Sequence, residues 1–434
     1  KGGRKRIGSP KRGRAEGAAR AGKAQHIRME TAGISTAKQR RGAMAAMLLF
    51  MLLCYVLIHD LLGGTLLAHC PWDSYTLQAQ AWLEGRTDLG QDISYLELAI
   101  YNGKYYVSFP PFPSVIMLPF VLIFGTDTPN NLIIMIITLL IAAAAFKLCS
   151  YAGYDAKDSA ILGLFITFGS NLMWMSTMGG VWFLAQSIMM LLLLLAAIAA
   201  YKDRQALAYA LVALSVGCRP FAAVAFAPLM AWFYAKNRQR GMGKLAALFC
   251  QWKAWIPVAL IAAAMMWYNY IRFDNPLEFG HNFLPEFVGS EYGQFDIYYL
   301  KDNLLKLLFY PVRIKEGLTL DYPFFDGFMF YIANPLFILF FAAAARNVLR
   351  HGVNMVRIAL SAAMAVMLVC LCLHKTLGGW QFGARYTCDM LPMALMYMCL
   401  SGGVKRLKAW EKGAAVFGIA FNIYGALAMT FLFN

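Results

Sequence analysis

Residues 181–201 read VWFLAQSIMMLLLLLAAIAAY, twenty-one positions without a charged side chain. At 1.5 Å per residue a helix of that length covers about 30 Å, the apolar thickness of a bilayer. A segment this apolar can cross lipid only as a helix, because lipid offers its backbone no other hydrogen-bond partners. Runs near 44–67, 131–148, 159–176, 219–235, 254–271, 326–345, 358–374, 387–404 and 413–433 are comparable, and two more, 110–125 and 206–217, are shorter. Of the 434 residues 60% are hydrophobic and 14% charged, against about 45–50% and about 25% in soluble chains. A soluble multi-domain enzyme, a disordered protein and a disulfide scaffold are excluded, and an all-α polytopic membrane protein fits. The first run is too long for a secretory signal, and no small-residue cleavage pattern follows it.

The formal charge of +16 is concentrated at one end. Residues 1–28 hold ten Lys/Arg against Glu16 alone, a net +9. That segment has no apolar period and reads as disordered. It suits a tail for nucleic acid or anionic lipid; the reading preferred here is that residues 1–28 are not native coding sequence, and no nucleic-acid partner is expected. The domain organisation is then a disordered basic segment, 1–43, followed by a transmembrane domain, 44–434. The nine cysteines show no zinc or redox spacing and read as small buried hydrophobes without a bridge.

Basic loops orient the spans. Arg40 and Arg41 precede the first; Lys202 and Arg204, then Lys236 to Lys253, Arg346 to Arg357 and Lys405 to Lys412 crowd four later connections. The positive-inside rule makes these cytoplasmic and leaves 68–109, 272–325 and 375–386 external. An odd number of crossings must separate residue 68 from Lys202, yet four runs lie between them. The run 110–125 is short and carries Pro110, Pro111, Pro113 and Pro119, which interrupt a helical ladder. It reads as a re-entrant or interfacial helix with both ends outside. About eleven crossings result, with the N-terminus cytoplasmic and the C-terminus external, and with Cys218-Arg219-Pro220 at an external hairpin tip. No internal repeat is evident, unlike the paired halves of inverted-repeat transporters.

The external loops carry the candidate chemistry. Tyr75, Ala79, Trp82 and Leu83 recur at helical spacing up to Gly85, and Ile297, Leu300, Leu304 and Leu308 do the same, so each loop is expected to hold an amphipathic interfacial helix. Asp73, beside Trp72, stands at the start of the first. It is either a carboxylate placed as a general base or simply that helix's N-cap. Asp88, Asp92 and Glu97 read as solvated acids, as do Glu286 and Glu291. Glu278 and His281, three apart, could hold a divalent cation or shuttle a proton, but no second histidine stands at ligand spacing, so no metal and no cofactor is expected. Arg385 opens the span at 387–404 after the glycines and Trp380. It is either a planar clamp for phosphate or a snorkelling anchor, with Trp380 and Tyr386 in the aromatic belt. Lys375 lies in the same segment. Arg219, alone between two short apolar runs, demands a partner. A carboxylate, arginines and aromatics on the outer face suit a substrate with an anionic head and a greasy tail, such as a sugar on a polyprenyl phosphate. No Walker loop or dinucleotide fingerprint is present.

Several motifs in order resemble a known family. They are Asp73, then Ala81 and Gly85; Gly103-Lys104-Tyr105-Tyr106 leading to Pro110-Pro111 and Pro113-Ser114; GVWF-x-AQ at 180–186; Cys218-Arg219-Pro220; YNY-x-RF-x-NPLEFG at 268–280; and FGARY…D-x-LP at 382–392. Over roughly residues 44–400 the chain resembles the GT-C superfamily of integral-membrane glycosyltransferases, which includes protein O-mannosyltransferases and aminoarabinose transferases, and is similar to bacterial members without assigned substrates. The resemblance implies inverting transfer of a hexose or pentose from a polyprenyl-phosphate donor at the extracytoplasmic face of a bacterial cytoplasmic (inner) membrane. It implies Asp73 as the base, Arg385, Arg219 and Lys375 on the donor phosphate, and a pocket containing Trp72, Tyr105, Tyr106, Glu278, His281, Trp380 and Tyr386. The acceptor, whether glycan, lipid or protein, stays open. Ser74 stands where many members have a second acid, and the soluble C-terminal domain of many members has no counterpart. The alternatives are a transporter or flippase of a lipid-linked saccharide or amphipathic solute, and a non-catalytic envelope scaffold.

Overall fold

A computed structural model describes residues 35–315, 320–323, 325–350, 354–400 and 405–433. The expectations for 1–28 lie outside the described residues. The described chain is helical apart from two short antiparallel hairpins.

Six helices are long and apolar enough to cross a membrane: Ala37–Leu61 (α1), Asn130–Tyr151, Val181–Tyr201, Lys244–Phe273, Met355–Leu373 and Ala409–Met429. In Val181–Tyr201, 89% of the apolar stretch is buried inside the protein, against 28% in α1 and 17% in Lys244–Phe273. The helix whose sequence is apolar on every side is therefore the central one, ringed by protein. The peripheral helices present Leu49, Leu53 and Leu57, or Leu260 and Trp267, outward.

The remaining crossings expected from the sequence are shorter or broken. Gln205–Val216 is a twelve-residue helix. The run 159–176 is a helix, Ala156–Thr167, and a separate turn, Leu172–Met175. The run 219–235 starts as a 3-10 segment, Pro220–Ala225, before Phe226–Gln239. The run 326–345 breaks at Asn334-Pro335, and 387–404 begins as a 3-10 segment, Arg385–Met390, before Leu391–Cys399. Proline cannot donate to the ladder and disfavours helix in the residue before it, which accounts for the interruption at Pro335 and for the irregular entry at Pro220.

Broken helices leave backbone groups unpaired, and buried asparagines take them up. Asn171 Oδ1 accepts from Ala384 N at 2.7 Å and from Asn334 Nδ2 at 3.0 Å; its Nδ2 donates to Asn422 Oδ1 at 3.0 Å. Asn334 Nδ2 also donates to Thr387 Oγ1 at 2.9 Å. Gly383, at φ +86°, passes so close to the Asn171 amide that a Cβ there would overlap it. This polar seam locks three helix breaks together at one level of the bundle.

The two ends of the bundle differ as the basic loops require. At one end Arg40 donates to the Tyr154 carbonyl, Lys412 pairs with Asp158, Arg346 with Glu411, and Lys236 and Arg240 with Asp203. At the other end lie the three loops read as external. There Phe112–Phe124 starts against Gly217 and finishes beside Asn130, which bonds the first loop, so both of its ends sit at that end. The helices expected at 75–83 and 297–308 are present as Ser74–Leu83 (α2) and Tyr298–Phe309. The hairpin Leu98–Tyr101/Lys104–Val107 has a turn of Asn102 and Gly103, both at positive φ. The sequence signal for it was an Asn-Gly pair between β-prone residues.

Candidate functional site

A cavity of about 820 Å³ opens at the end carrying the external loops. Its wall includes Trp72 and Glu97 from the first loop, Trp182 and Phe183 from the central helix, His281 and Glu286 from the second loop, and Trp380, Arg385 and Tyr386 from the third segment. Its volume lies in the range of small-molecule sites, and its lining mixes large aromatic surfaces with a few polar groups.

Arg385 is the only arginine in that wall among the described residues. It is 5% exposed. Its Nε and Nη2 donate to the Gly378 carbonyl at 3.1 and 2.8 Å, and its Nη1 is buried without a partner. The guanidinium lies 4.7 Å from the Tyr386 ring centre and 5.4 Å from that of Phe183. Among the described residues no carboxylate pairs with it, and burial pulls its pKa below the ordinary value. Its backbone is pinned on both sides: Arg385 N donates to Gln381 Oε1 at 2.6 Å, and Gln186 Nε2 donates to its carbonyl at 2.8 Å. Gly378 sits at φ +114°, and a Cβ there would lie 2.9 Å from Arg385 Nε. A rigid, buried cation in a cavity wall, with one donor that the protein leaves unpaired, is what an anion of the right shape needs.

Arg219 behaves differently. Its Nε donates to Asp389 Oδ2 at 2.6 Å, and its guanidinium lies 4.9 Å from the ring centre of Tyr386, the ring that Arg385 also meets. Asp389 is 1% exposed and also accepts from Gln186 Nε2. The charge that looked costly from the sequence is thus neutralised by the acid of the D-x-LP motif. Gln186 joins the two arginine environments, since the one amide serves both Asp389 and the Arg385 carbonyl.

Asp73 occupies the N-cap position of α2, but its side chain caps no first-turn N–H. The carboxylate is 3% exposed, with Oδ2 3.5 Å from Asn130 Nδ2 and 3.4 Å from His69 Nδ1. Burial pushes its pKa from 3.8 up to about 8. Asn130, at the start of Asn130–Tyr151, holds this corner: it accepts from Cys70 N at 3.2 Å and donates to Thr76 Oγ1 at 2.9 Å. The Trp72 carbonyl accepts from Val181 N at 2.8 Å, which fixes the corner to the same helix start that carries Phe183 under Arg385. The helix α2 is docked by Ser114 Oγ to Gln78 at 2.8 Å and by Trp82 Nε1 to Tyr268 OH at 2.9 Å.

Of the other residues singled out from sequence, Trp72, His281, Trp380 and Tyr386 line the cavity. His281 Nδ1 meets the Ser108 carbonyl at 2.6 Å, and burial lowers its pKa to about 4. Tyr106 packs under the hairpin against Phe273, and Tyr105 is half-buried outside the wall. Glu278 accepts from Gly280 N and Asn282 Nδ2 within its own turn. Lys375 donates to the Glu286 carbonyl at 2.8 Å and ties the second loop to the third. Glu97, read from sequence as a solvated acid, is in the wall and accepts from Trp182 Nε1 at 3.0 Å. Sequence reasoning missed Trp182, Phe183, His374 and the pinning residue Gln186; for Trp182, Phe183 and Gln186 the available signal was the GVWF-x-AQ run. Among the described residues no three His, Cys, Asp or Glu side chains gather to hold a metal ion.

No family model and no curated protein matches the chain. Among solved structures, ArnT from Cupriavidus metallidurans bound to undecaprenyl phosphate superposes with a TM-score of 0.51 at 13% identity, covering 88% of this chain and 63% of that one. The same protein in its apo state gives 0.50 at 14% identity, again over 88% and 63%. This chain therefore spans less than two thirds of the length of the proteins it resembles.

Proposed function

We infer that the chain is GT-C-like, an all-α polytopic membrane architecture. We propose that the chain is a membrane glycosyltransferase that moves a sugar from a polyprenyl-phosphate donor to an acceptor at the outer face of a bacterial cytoplasmic membrane. The observation that carries this reading is Arg385, buried in the wall of a cavity lined by aromatic rings with its Nη1 left unpaired. Undecaprenyl phosphate bound to the structurally similar ArnT supports the same ligand class.

In this reading Arg385 grips the donor phosphate through Nη1, with Gly378 holding the rest of the fork. The aromatic wall packs against the sugar faces and the first isoprene units, and Glu97 accepts hydrogen bonds from sugar hydroxyls. Arg219 stays with Asp389 behind Tyr386 and braces that ring. As the bond from the anomeric carbon to the phosphate oxygen breaks, charge grows on that oxygen, and a cation already fixed in a water-poor site stabilises it without reorganising. Asp73 is the basic centre of the step in which the acceptor loses its proton, and attack from the face opposite the phosphate inverts the anomeric carbon. Basic loops on the far end support a cytoplasmic N-terminus and an external C-terminus.

A transporter of a lipid-linked saccharide would need the arginines but not Asp73. Purified protein in detergent, given a labelled polyprenyl-phosphate sugar and a membrane extract as acceptor source, should transfer label, and Asp73→Asn should abolish transfer. Vectorial flux in proteoliposomes that survives Asp73→Asn, without transfer, would replace the enzyme by the transporter. Absence of both would leave a scaffold.

A further inference from the structure

The base in this reaction has to touch the acceptor, and Asp73 is poorly placed to do so alone. Its side chain is 2% exposed and is walled in by Asn130. Neither Asp73 nor His69 lines the cavity, while Trp72, between them in sequence, does, so what separates the two is exposure. His69, one helical turn before Asp73 in sequence, presents Nδ1 to Asp73 Oδ2 at 3.4 Å while its ring stays 36% exposed. With Nδ1 turned to the carboxylate, Nε2 is the outward nitrogen, and among the described residues the ring has no other polar partner. Among the described residues the Cys70 thiol also feels Asp73, and burial pushes it up to about 12 and keeps it neutral.

We propose that His69 and Asp73 form a proton-accepting pair in which His69 is the catalytic residue that touches the acceptor and Asp73 is the positioning residue that acts through it. The inference rests on the glycosyltransferase reading. In the step it describes, the acceptor hydroxyl loses its proton to His69 Nε2 as its oxygen bonds to the anomeric carbon. The bond from that carbon to the phosphate oxygen breaks, and its electron pair leaves with the polyprenyl phosphate. Asp73, ionised, orients the ring and stabilises the imidazolium until Nε2 returns the proton to water. A buried carboxylate behind a more exposed imidazole is a general way to fix tautomer and direction of a base. It also accounts for an acid that sits at an N-cap without capping the helix.

The test uses the full chain in detergent with a polyprenyl-phosphate-linked sugar as probe and release of polyprenyl phosphate as readout. Wild-type turnover is read first; its failure counts against the glycosyltransferase reading, whereas the comparisons among variants bear on the pair. His69→Ala should lower turnover roughly 100- to 10,000-fold, the usual span for losing a general base. Donor binding, followed by tryptophan fluorescence, should stay at wild-type strength. Added imidazole should restore turnover to His69→Ala in a saturable way and should not restore Asp73→Asn. His69→Ala within about threefold of wild type would overturn the proposal and leave Asp73 as the direct base. Full activity in His69→Asn would overturn it too, because asparagine can support Asp73 but cannot accept the proton. Loss of activity in His69→Ala that imidazole leaves unchanged would likewise count against it.

Discussion

Arg385→Lys keeps the positive charge and removes the fork, so it separates a phosphate clamp from a snorkelling anchor. In the wild type two donors of the guanidinium are committed to the Gly378 carbonyl, at 3.1 and 2.8 Å, and Nη1 remains for a ligand. A lysine ammonium is a point charge on a flexible stem; from the same backbone position it can meet the Gly378 carbonyl or the phosphate, not both in the original geometry. The loss is one charge-assisted hydrogen bond in a buried site, typically about 1.5–3 kcal/mol, which is roughly ten- to a hundredfold in dissociation constant. Stability should change little, because the buried charge is kept. Trp72, Trp174, Trp182 and Trp380 line the cavity, so quenching of intrinsic fluorescence by undecaprenyl phosphate in detergent gives the dissociation constant, and a thermal melt on the same sample checks folding. A melt near wild type with a dissociation constant within twofold of wild type would refute the clamp and pass the phosphate role to Arg219 or Lys375.

Asp73→Asn should remove turnover while leaving undecaprenyl phosphate affinity within about threefold. A base must be ionised, and the free Asp73 carboxyl is held at about 8 by burial, so wild-type turnover per bound donor should rise with pH and level off above about 8. The same shift costs stability: the folded state holds the proton more tightly, so stability falls as pH rises from about 4 to about 8, and melting curves of Asp73→Asn should lack that slope. Gly378→Ala should mimic the loss of Arg385, because a Cβ 2.9 Å from Nε, on a backbone at φ +114°, pushes the guanidinium from its seat; unchanged donor affinity would contradict this. A cysteine at the exposed Thr126 should react with an impermeant maleimide from outside the cell, and labelling only from the cytoplasm would overturn the assignment of 110–125 as non-crossing.

The bundle was readable because lipid imposes a simple rule: long uncharged runs are helices, and basic connections share one end. The breaks were less readable. Pro335 and Pro220 announced two of them, but the interruption after Thr167 depends on Asn171 meeting Asn334 and Ala384, contacts 163 and 213 residues apart that no local pattern encodes. The same holds for the site. Asp73 and Arg385 could be singled out by type and position, as an acid at a helix start beside the membrane and an arginine at a span entrance, each with an ordinary reading as well. Their environments could not. That Arg219 is satisfied by Asp389 and Arg385 by no acid at all is decided by Gln186 and Tyr386, which arrive from different helices. Glu97 looked like any loop acid until the hairpin carried it to Trp182. Tyr105, Tyr106 and Glu278 stood in suggestive motifs, yet the hairpin and the turn at Gly280 use them away from the cavity wall.

The central claim, that the outer cavity holds a polyprenyl-phosphate donor on Arg385, is tested most directly by a cryo-electron microscopy structure of the full chain with undecaprenyl phosphate. The account predicts phosphate density within hydrogen-bond distance of Arg385 Nη1, with the isoprene chain leaving along the aromatic wall toward the bilayer. Phosphate density at the opposite end, among Arg346, Arg357 and Lys405, with the outer cavity free of lipid, would contradict it.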